Sequence, residues 1–409
     1  MSTEIKTING INYALDSSNG TAAVVRQDKL NKSKIVIPSY VKSLFKKYKV
    51  TRVDDEAFKG LAIKQLIIGR DIEYIGNFAF YWCRELTSVV IDSGGKHIGK
   101  FAFSDCDKLE SLEIRSGVTD IGDYAFFYCT KLTSVELPDT LSELSVDVFC
   151  GCHSLPRILV PASVKRIGAY ACKGCYNLTE INLLEGLESI EKGAFEECDN
   201  LSELNIPDSV TSIGNDAFGI WFNNSSENYV DKWAVQFYNR CRSITLRSDT
   251  VGIADYAFAE LKSDDKYSND SHGYRRLSAI NIPNGVKYIG ACAFMKCKDL
   301  TEIVLPESVV TIGNEAFSGC VNLIGSINIP DGVKRIGAGA FMDCTGITEI
   351  RIPESVTEIG ENAFGGCTAL TINCEAESKP SGWNEDWNNS GRPVNWTVND
   401  DGAIDKVRR

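Results

Sequence analysis

Residues Ile352–Leu370 read IPESVTEIGENAFGGCTAL, and the phrase recurs as IPDSVTSIGNDAF at Ile206–Phe218 and as LPESVVTIGNEAFSGCVNL at Leu305–Leu323. Self-similarity at a fixed period of about 20–50 residues marks a stacked-repeat architecture, in which a unit buries its apolar face only against its neighbours. Each copy reads as one turn of a coil. Ile352-Pro353 closes a short strand, because proline lacks the N–H that a ladder needs. Val356 and Ile359 point inward, Gly360 lets the backbone turn, Ala363-Phe364 fills the core, and Cys367 and Leu370 lead into the next strand.

Outward from this copy, the Ala-Phe marker stands at Ala57, Ala79, Ala102, Ala125, Val148, Ala171, Ala194 and Ala217, in steps of 22 and then 23 residues. It returns at Ala257, Ala293, Ala316, Ala340 and Ala363, which makes about thirteen turns. Leu132–Leu137 alternates with period two, as a half-buried strand does. The glycine after the inward isoleucine (Gly76, Gly99, Gly122, Gly168, Gly214, Gly290, Gly313, Gly337, Gly360) suits either a positive φ or a close backbone approach. The spacing G-x-x-A-F-x-x-C-x-x-L fits a short helical turn. The expected fold class is therefore an α/β repeat, a single right-handed solenoid of about thirteen 23-residue turns.

Fifteen cysteines in a small secreted domain would mean disulfides. Here ten of them (Cys83, Cys106, Cys129, Cys152, Cys175, Cys198, Cys297, Cys320, Cys344, Cys367) sit three residues after the phenylalanine position. That periodicity predicts a ladder of free core thiols, presented in parallel by successive turns. Cys150-Gly-Cys152-His153 and Cys172-Lys-Gly-Cys175 have ligand-like spacing. Three of these four cysteines already hold core positions, so no metal site is expected.

Two steps break the period. Ala217 to Ala257 is 40 residues and Ala257 to Ala293 is 36, which places insertions at 219–240 and 259–276. Insertions in a solenoid emerge as loops on one face, often the binding face. The first, GIWFNNSSENYVDKWAVQFYNR, holds Trp221, Phe222, Tyr229, Trp233, Phe237 and Tyr238. A short helix is expected over 231–238. Clustered aromatics on a protruding loop fit a partner contact or a sugar-stacking platform. The competing reading packs them back onto the coil. The second insertion is polar.

The ends depart from the repeat. Residues 1–49 form an N-terminal cap and first strand: INYALDSSNGTAAVV reads as a hairpin, Ile35–Pro38 as a strand, and Ser43–Lys49 as an irregular basic connection. Residues 50–373 carry the repeats, and 374–409 form the terminal cap and tail.

A net charge of −12 with a pI near 5.0, and no dense Lys/Arg cluster, argue against nucleic acid as a partner. No run approaches a membrane span, so membrane insertion is not expected. MSTEIKTINGINYAL lacks the apolar centre of a signal peptide, which, if the chain is complete as given, implies a cytoplasmic protein. On the strand face Glu113 and Glu136 share one outward column, continued by Asn182, Asn205, Asn281 and Asn328. Glu180, Glu203, Glu302 and Glu349 share the other. Such a face suits a basic or polyhydroxyl partner, or simply keeps the sheet solvated. The three histidines fall in different turns and no catalytic phrase stands out, so no enzyme activity and no cofactor are expected.

The phrase I-P-x-S-V-T-x-I-G-x-x-A-F-x-x-C-x-x-L-x-x-I resembles the BspA-like leucine-rich repeat family from about Val50 to Asn373. The tail from Cys374, with Trp383 and Trp387, resembles that family's C-terminal cap. The resemblance implies a leucine-rich-repeat solenoid and a surface or secreted adhesion-type protein that acts by binding a protein or glycan. No catalytic residues define the family. Self-assembly is the alternative role, and an enzyme with its site in the insertions a more distant one.

Overall fold

The computed structural model describes residues 3–92, 96–201, 204–219, 229–235, 237, 242–260 and 277–397. They fall into two compact units, Met1–Val210 with Asp216–Asn224, and Thr211–Asn215 with Ser225–Arg409. Each is a β-solenoid of stacked turns, about thirteen repeats in all.

In the first unit the L-x-x-I-x-I segments form parallel strands at Lys34–Ile37, Gln65–Ile68, Ser88–Ile91, Ser111–Ile114 and Ser134–Glu136, with Ile35, Leu66, Val89, Leu112 and Val135 in one register. Arg157–Leu159 and Glu180–Asn182 form a further pair. The I-G corners make a second ladder of two-residue strands, among them Tyr74–Ile75, His97–Ile98 and Asp120–Ile121. A third ladder runs through the Ala-Phe segments, where a helical turn was expected. No helix forms there. Phe80 N donates to Ala102 O (2.8 Å), Phe103 N to Ala125 O (2.8 Å) and Phe126 N to Val148 O (3.0 Å), so alternate amides reach the following turn. The amides between them close turns inside the repeat, as Tyr81 N does on Phe78 O (3.1 Å). All three sides of a turn are thus bonded to the next, which leaves few orphan backbone groups in the stack.

The corner glycines prove to serve close approach rather than positive φ. A Cβ on Gly99 would stand 2.7 Å from Asn77 N, and one on Gly360 2.3 Å from Ala338 N. The left-handed residues lie two positions later, before the Ala-Phe pair: Phe78 (φ 56°), Phe101 (55°), Tyr124 (59°), Asp147 (53°) and Tyr170 (56°). A second left-handed residue precedes the cysteine, as at Trp82 (63°), Asp105 (58°) and Tyr128 (55°). Bulky side chains rarely adopt this region, and one every fourth residue forbids a helix.

The core is a column of stacked rings. Phe58, Phe80, Phe103, Phe126 and Phe149 follow one another at centroid spacings of 5.0, 4.9, 5.4 and 5.6 Å, all fully buried. Each such ring contributes about 1.5–3 kcal/mol of burial. Three residues after each of these rings but Phe58 lies a free, buried cysteine. Its thiol donates to the carbonyl of an earlier phenylalanine, Cys83 to Phe58 O (3.2 Å) and Cys129 to Phe103 O (3.3 Å) for example.

At the N-terminus, Thr3–Ile8, Ile11–Asp16 and Thr21–Val24 pair antiparallel, and Thr21–Val24 then runs parallel to Lys46–Val53, joining cap to coil. Ser43–Lys49 is not an irregular connection. Tyr40–Ser43 and Lys46–Lys49 pair antiparallel as a hairpin.

In the second unit, the two-residue strands Trp233–Ala234, Gly252–Ile253, Tyr288–Ile289, Thr311–Ile312, Arg335–Ile336 and Glu358–Ile359 form one parallel ladder. Where a helix was expected over 231–238, the described residues 231–235 are not helical: Tyr229–Val230 and Trp233–Ala234 form a hairpin. Phe237 stacks on Phe258 at 4.5 Å, and its amide donates to Ala257 O (2.6 Å), the bond that Phe80, Phe103 and Phe126 make to their own next turns. Part of the first insertion is therefore a degenerate repeat turn. Phe258, Phe294, Phe317, Phe341 and Phe364 continue the column. Trp387 meets Phe364 edge-on at 6.1 Å, and Trp383 donates its indole N–H to Val356 O (2.9 Å), so both buried rings cover the last turn.

Candidate recognition surfaces

Three surfaces compete for a binding role. On the strand face of the first unit Glu113 and Glu136 stand side by side. The column they belong to opens with Val36, Ile67 and Val90, so it is not a continuous acidic stripe. Glu113 accepts from Arg115 Nε at 2.6 Å, and Arg115 reaches Asp92 at 3.1 Å. Glu180 lies beside Arg157 in the other column. In the second unit Glu349 stands between Ser326 and Thr371 and accepts from Asn373 at 2.5 Å. Glu302 is exposed outside any strand. Glu203 lies outside the described residues. An exposed ion pair such as Glu113–Arg115 holds about 0–1 kcal/mol, so this face is acidic only in patches.

Of the aromatic residues of the first insertion, the structure describes Tyr229, Trp233 and Phe237. Trp221, Phe222 and Tyr238 lie outside the described residues, as do 261–276 of the second insertion. Trp233 is only 3% exposed, which corrects the expectation of a protruding contact. Its ring lies across Gly252, where any Cβ would stand 2.4 Å from it, and stacks on Tyr288 at 5.9 Å. Phe237 belongs to the ring column. Tyr229 is half-buried, receives the Arg247 amide at 3.0 Å and faces Thr250 Oγ1 at 3.1 Å.

Cys150, Cys152, Cys172 and Cys175 are buried thiols. No group of three or more His, Cys, Asp or Glu side chains among the described residues is arranged to hold a metal ion. Burial pushes the Cys150 thiol up to about 12 and raises the neighbouring Asp147 carboxyl. The Asp147 charge in turn raises the Tyr124 phenol. Hydrogen bonds from Cys150 and Tyr124 offset part of the rise at Asp147.

The third surface was not anticipated. Outside the Ala-Phe ladder of the first unit, the left-handed positions carry aromatic rings that stack from turn to turn. Phe78, Phe101 and Tyr124 lie parallel at 4.9 and 4.6 Å. Tyr81 and Phe127 pack edge-on against them at 5.7 and 5.5 Å. Trp82, Tyr128 and Tyr176 remain 49%, 44% and 41% exposed along this stripe. His153 bridges Tyr128 and Tyr176, with centroids at 5.8 and 4.9 Å. Arg84 lies 4.5 Å over Trp82, and Lys59 5.7 Å over Tyr81. The sequence signal was available: Phe78, Phe101 and Tyr124 occupy the same place in three successive repeats, directly before Ala-Phe.

Four overlapping stretches, 51–175, 96–227, 165–271 and 265–380, match the family described as BspA type leucine rich repeat region. Among solved structures the chain is similar to a leucine-rich cell surface protein from Faecalibacterium prausnitzii (27% identity, 93% of this chain and 97% of that one, TM-score 0.44). It is also similar to a leucine-rich repeat protein from Bacteroides ovatus (26% identity, 96% and 100%, TM-score 0.41). A leucine-rich repeat protein of T. pallidum is 29% identical over 54% of this chain and 90% of its own, with a TM-score of 0.41. No curated protein matches.

Proposed function

The chain belongs to the BspA type leucine-rich-repeat family, and on that premise we propose that it is a non-catalytic recognition protein that binds another protein through the aromatic stripe of its first unit. The observation that carries this reading is the exposure of Trp82, Tyr128 and Tyr176 beside Arg84. Tryptophan, tyrosine and arginine are the residues that dominate protein–protein hot spots. Stacked turns hold them at low ordering cost.

A protein fits the stripe better than a glycan does. Sugar stacking needs a free ring face, whereas Phe78, Phe101 and Tyr124 cover one another's faces and turn edges outward. Arg84 lies over one face of Trp82, and Tyr128 lies down on Gly151, where a Cβ would meet its ring at 2.8 Å. Glycan binding, through the strand face or the 219–240 insertion, is the second reading. Family membership supports display at a cell surface or secretion as part of the same proposal.

The test is a binding comparison of the intact chain on parallel protein and glycan arrays. Saturable binding to proteins, reduced in a folded Trp82→Ala/Tyr128→Ala/Tyr176→Ala variant, is expected. Binding confined to glycans and unaffected by those substitutions would overturn the assignment. Binding to neither, with mass that rises with concentration in solution, would favour self-assembly.

A further inference from the structure

The hairpin at 40–49 carries an unusual tip. Ser43 pairs with Lys46, so Leu44-Phe45 is a two-residue loop, and such loops ordinarily take Asn-Gly or a similar pair because they need positive φ. Leu44 adopts φ 53° with no glycine to relieve it. Neither side chain gains burial in return: Leu44 is 87% exposed and Phe45 106%. Two apolar side chains at a strained, fully solvated tip serve no purpose in folding.

The base of the hairpin, by contrast, is fixed. Val41 and Tyr48 are buried, and Tyr48 hydrogen-bonds Ser17 at 3.0 Å. Around the tip stand Lys42, Lys46 and Lys47, all exposed, and among the described residues none of them has a carboxylate within salt-bridge distance. Lys47 lies 3.6 Å over the Tyr40 ring, and Lys46 donates to Ser17 O, so both ammonium groups are held on the flanks of the hairpin, behind the apolar tip. Asp16, in the adjoining turn, is occupied by Ser18 and Asn19. Lys49, further down, reaches Asp71 and Glu73 at 3.6 Å.

We propose that this hairpin is a peripheral membrane contact, in which Leu44 and Phe45 enter the headgroup boundary of an anionic bilayer while Lys42, Lys46 and Lys47 engage its phosphates. The division of chemistry selects that occupant. A polyanion such as nucleic acid or a sulfated glycan would use the lysines and leave the apolar pair in water. An apolar protein pocket would use the pair and leave the lysines without a role. A bilayer surface takes both, apolar groups a few ångströms deep and cations at the headgroups. The net charge of −12 on the whole chain does not oppose this. At physiological ionic strength charges more than about 8 Å from the surface are largely screened, so the contacting lysines decide the sign. The contact needs no spanning segment, and no helix among the described residues is long and apolar enough to cross a membrane.

The experiment is co-sedimentation of the full chain with phosphatidylcholine vesicles, with and without about 30% phosphatidylserine, so that the surface is anionic in one case only. Binding to the anionic vesicles alone is expected. Lys42→Gln/Lys47→Gln should weaken it about fivefold per lysine, and Leu44→Ser/Phe45→Ser should weaken it at least tenfold with all lysines kept. In Phe45→Trp, the emission of the added indole, read as the difference from the parent chain, should shift to the blue on binding and be quenched by brominated lipid. The proposal is overturned if the intact chain binds neither vesicle. Full binding by Leu44→Ser/Phe45→Ser, or an unshifted difference spectrum from bound Phe45→Trp, would equally overturn it in favour of a simple polyanion site.

Discussion

Cysteine at the place three after phenylalanine fills a small gap behind the ring and supplies a donor to a carbonyl of an earlier turn, as Cys106 does for Phe80 O at 3.4 Å and Cys367 for Phe341 O at 3.0 Å. Alanine at this place would lose the donor, and leucine would overfill the gap. Burial raises Cys83 and Cys367 to about 12 from an ordinary 9.0, and Cys106 well above it. The consequence for stability has a definite sign. A group whose folded pKa is raised contributes stability that is complete below its unfolded pKa and lost as pH rises toward the folded one. Each thiol so raised therefore costs the native state about 1.4 kcal/mol by one pH unit above its unfolded value. The melting temperature is expected to hold steady from about pH 6 to 8 and to fall steeply above about pH 9. Replacing Cys106, Cys129, Cys152 and Cys175 by valine should flatten that fall while lowering stability near neutrality. An equal alkaline slope in the two proteins would show that the thiols titrate normally. The spacing of the cysteines was enough to read them as free and buried. That they act as donors was hidden, because it depends on which carbonyl the turn aims at them.

At the scale of the element, the Ala-Phe segment separates what was legible from what was not. Its period placed the core rings and counted the turns. Its backbone could not be read, since the left-handed residues at 78, 101 and 124 are aromatic rather than glycine, and the glycines drew the positive φ to themselves. The same blindness turned the aromatic stripe into an unremarked run of x positions. The step from Ala217 to Ala257 misled for another reason: Trp233-Ala234 and Phe237 lack the Ala-Phe phrase yet take the bonds of a turn. Trp233 works there by covering Gly252 and meeting Tyr288. Trp233→Ala is accordingly expected to cost about 3 kcal/mol, as truncation of a buried tryptophan does, and to leave partner binding intact at temperatures where the variant is folded. Chemical denaturation and a binding assay on the same preparation check this. Unchanged stability with binding abolished would return the insertion to the role of a contact loop.

At the scale of the whole molecule, charge and surface composition divide the labour within the described residues. The strand faces are wetted by short ion pairs such as Glu113–Arg115 and Arg351–Asp331, which stay soluble without committing to a partner. Large apolar side chains are exposed in the stripe beside the first unit's Ala-Phe ladder (Trp82, Tyr128, Tyr176), at the tip of the hairpin at 40–49 (Leu44, Phe45), and elsewhere, as at Ile5, Leu159, Val304 and Ile324. A coil bonded on all three sides presents these features rigidly, so binding pays little to order them. Recognition through the stripe is the central claim. Once a partner is in hand, the direct measurement is its affinity for the intact chain, for Trp82→Ala/Tyr128→Ala/Tyr176→Ala and for Glu113→Gln/Glu136→Gln/Glu180→Gln, each with its melting temperature. A loss of about a hundredfold or more is expected in the aromatic variant, with a melting temperature close to the parent's and near-parental affinity in the glutamate variant. Undiminished affinity in the aromatic variant, with the loss appearing in the glutamate variant instead, would contradict it.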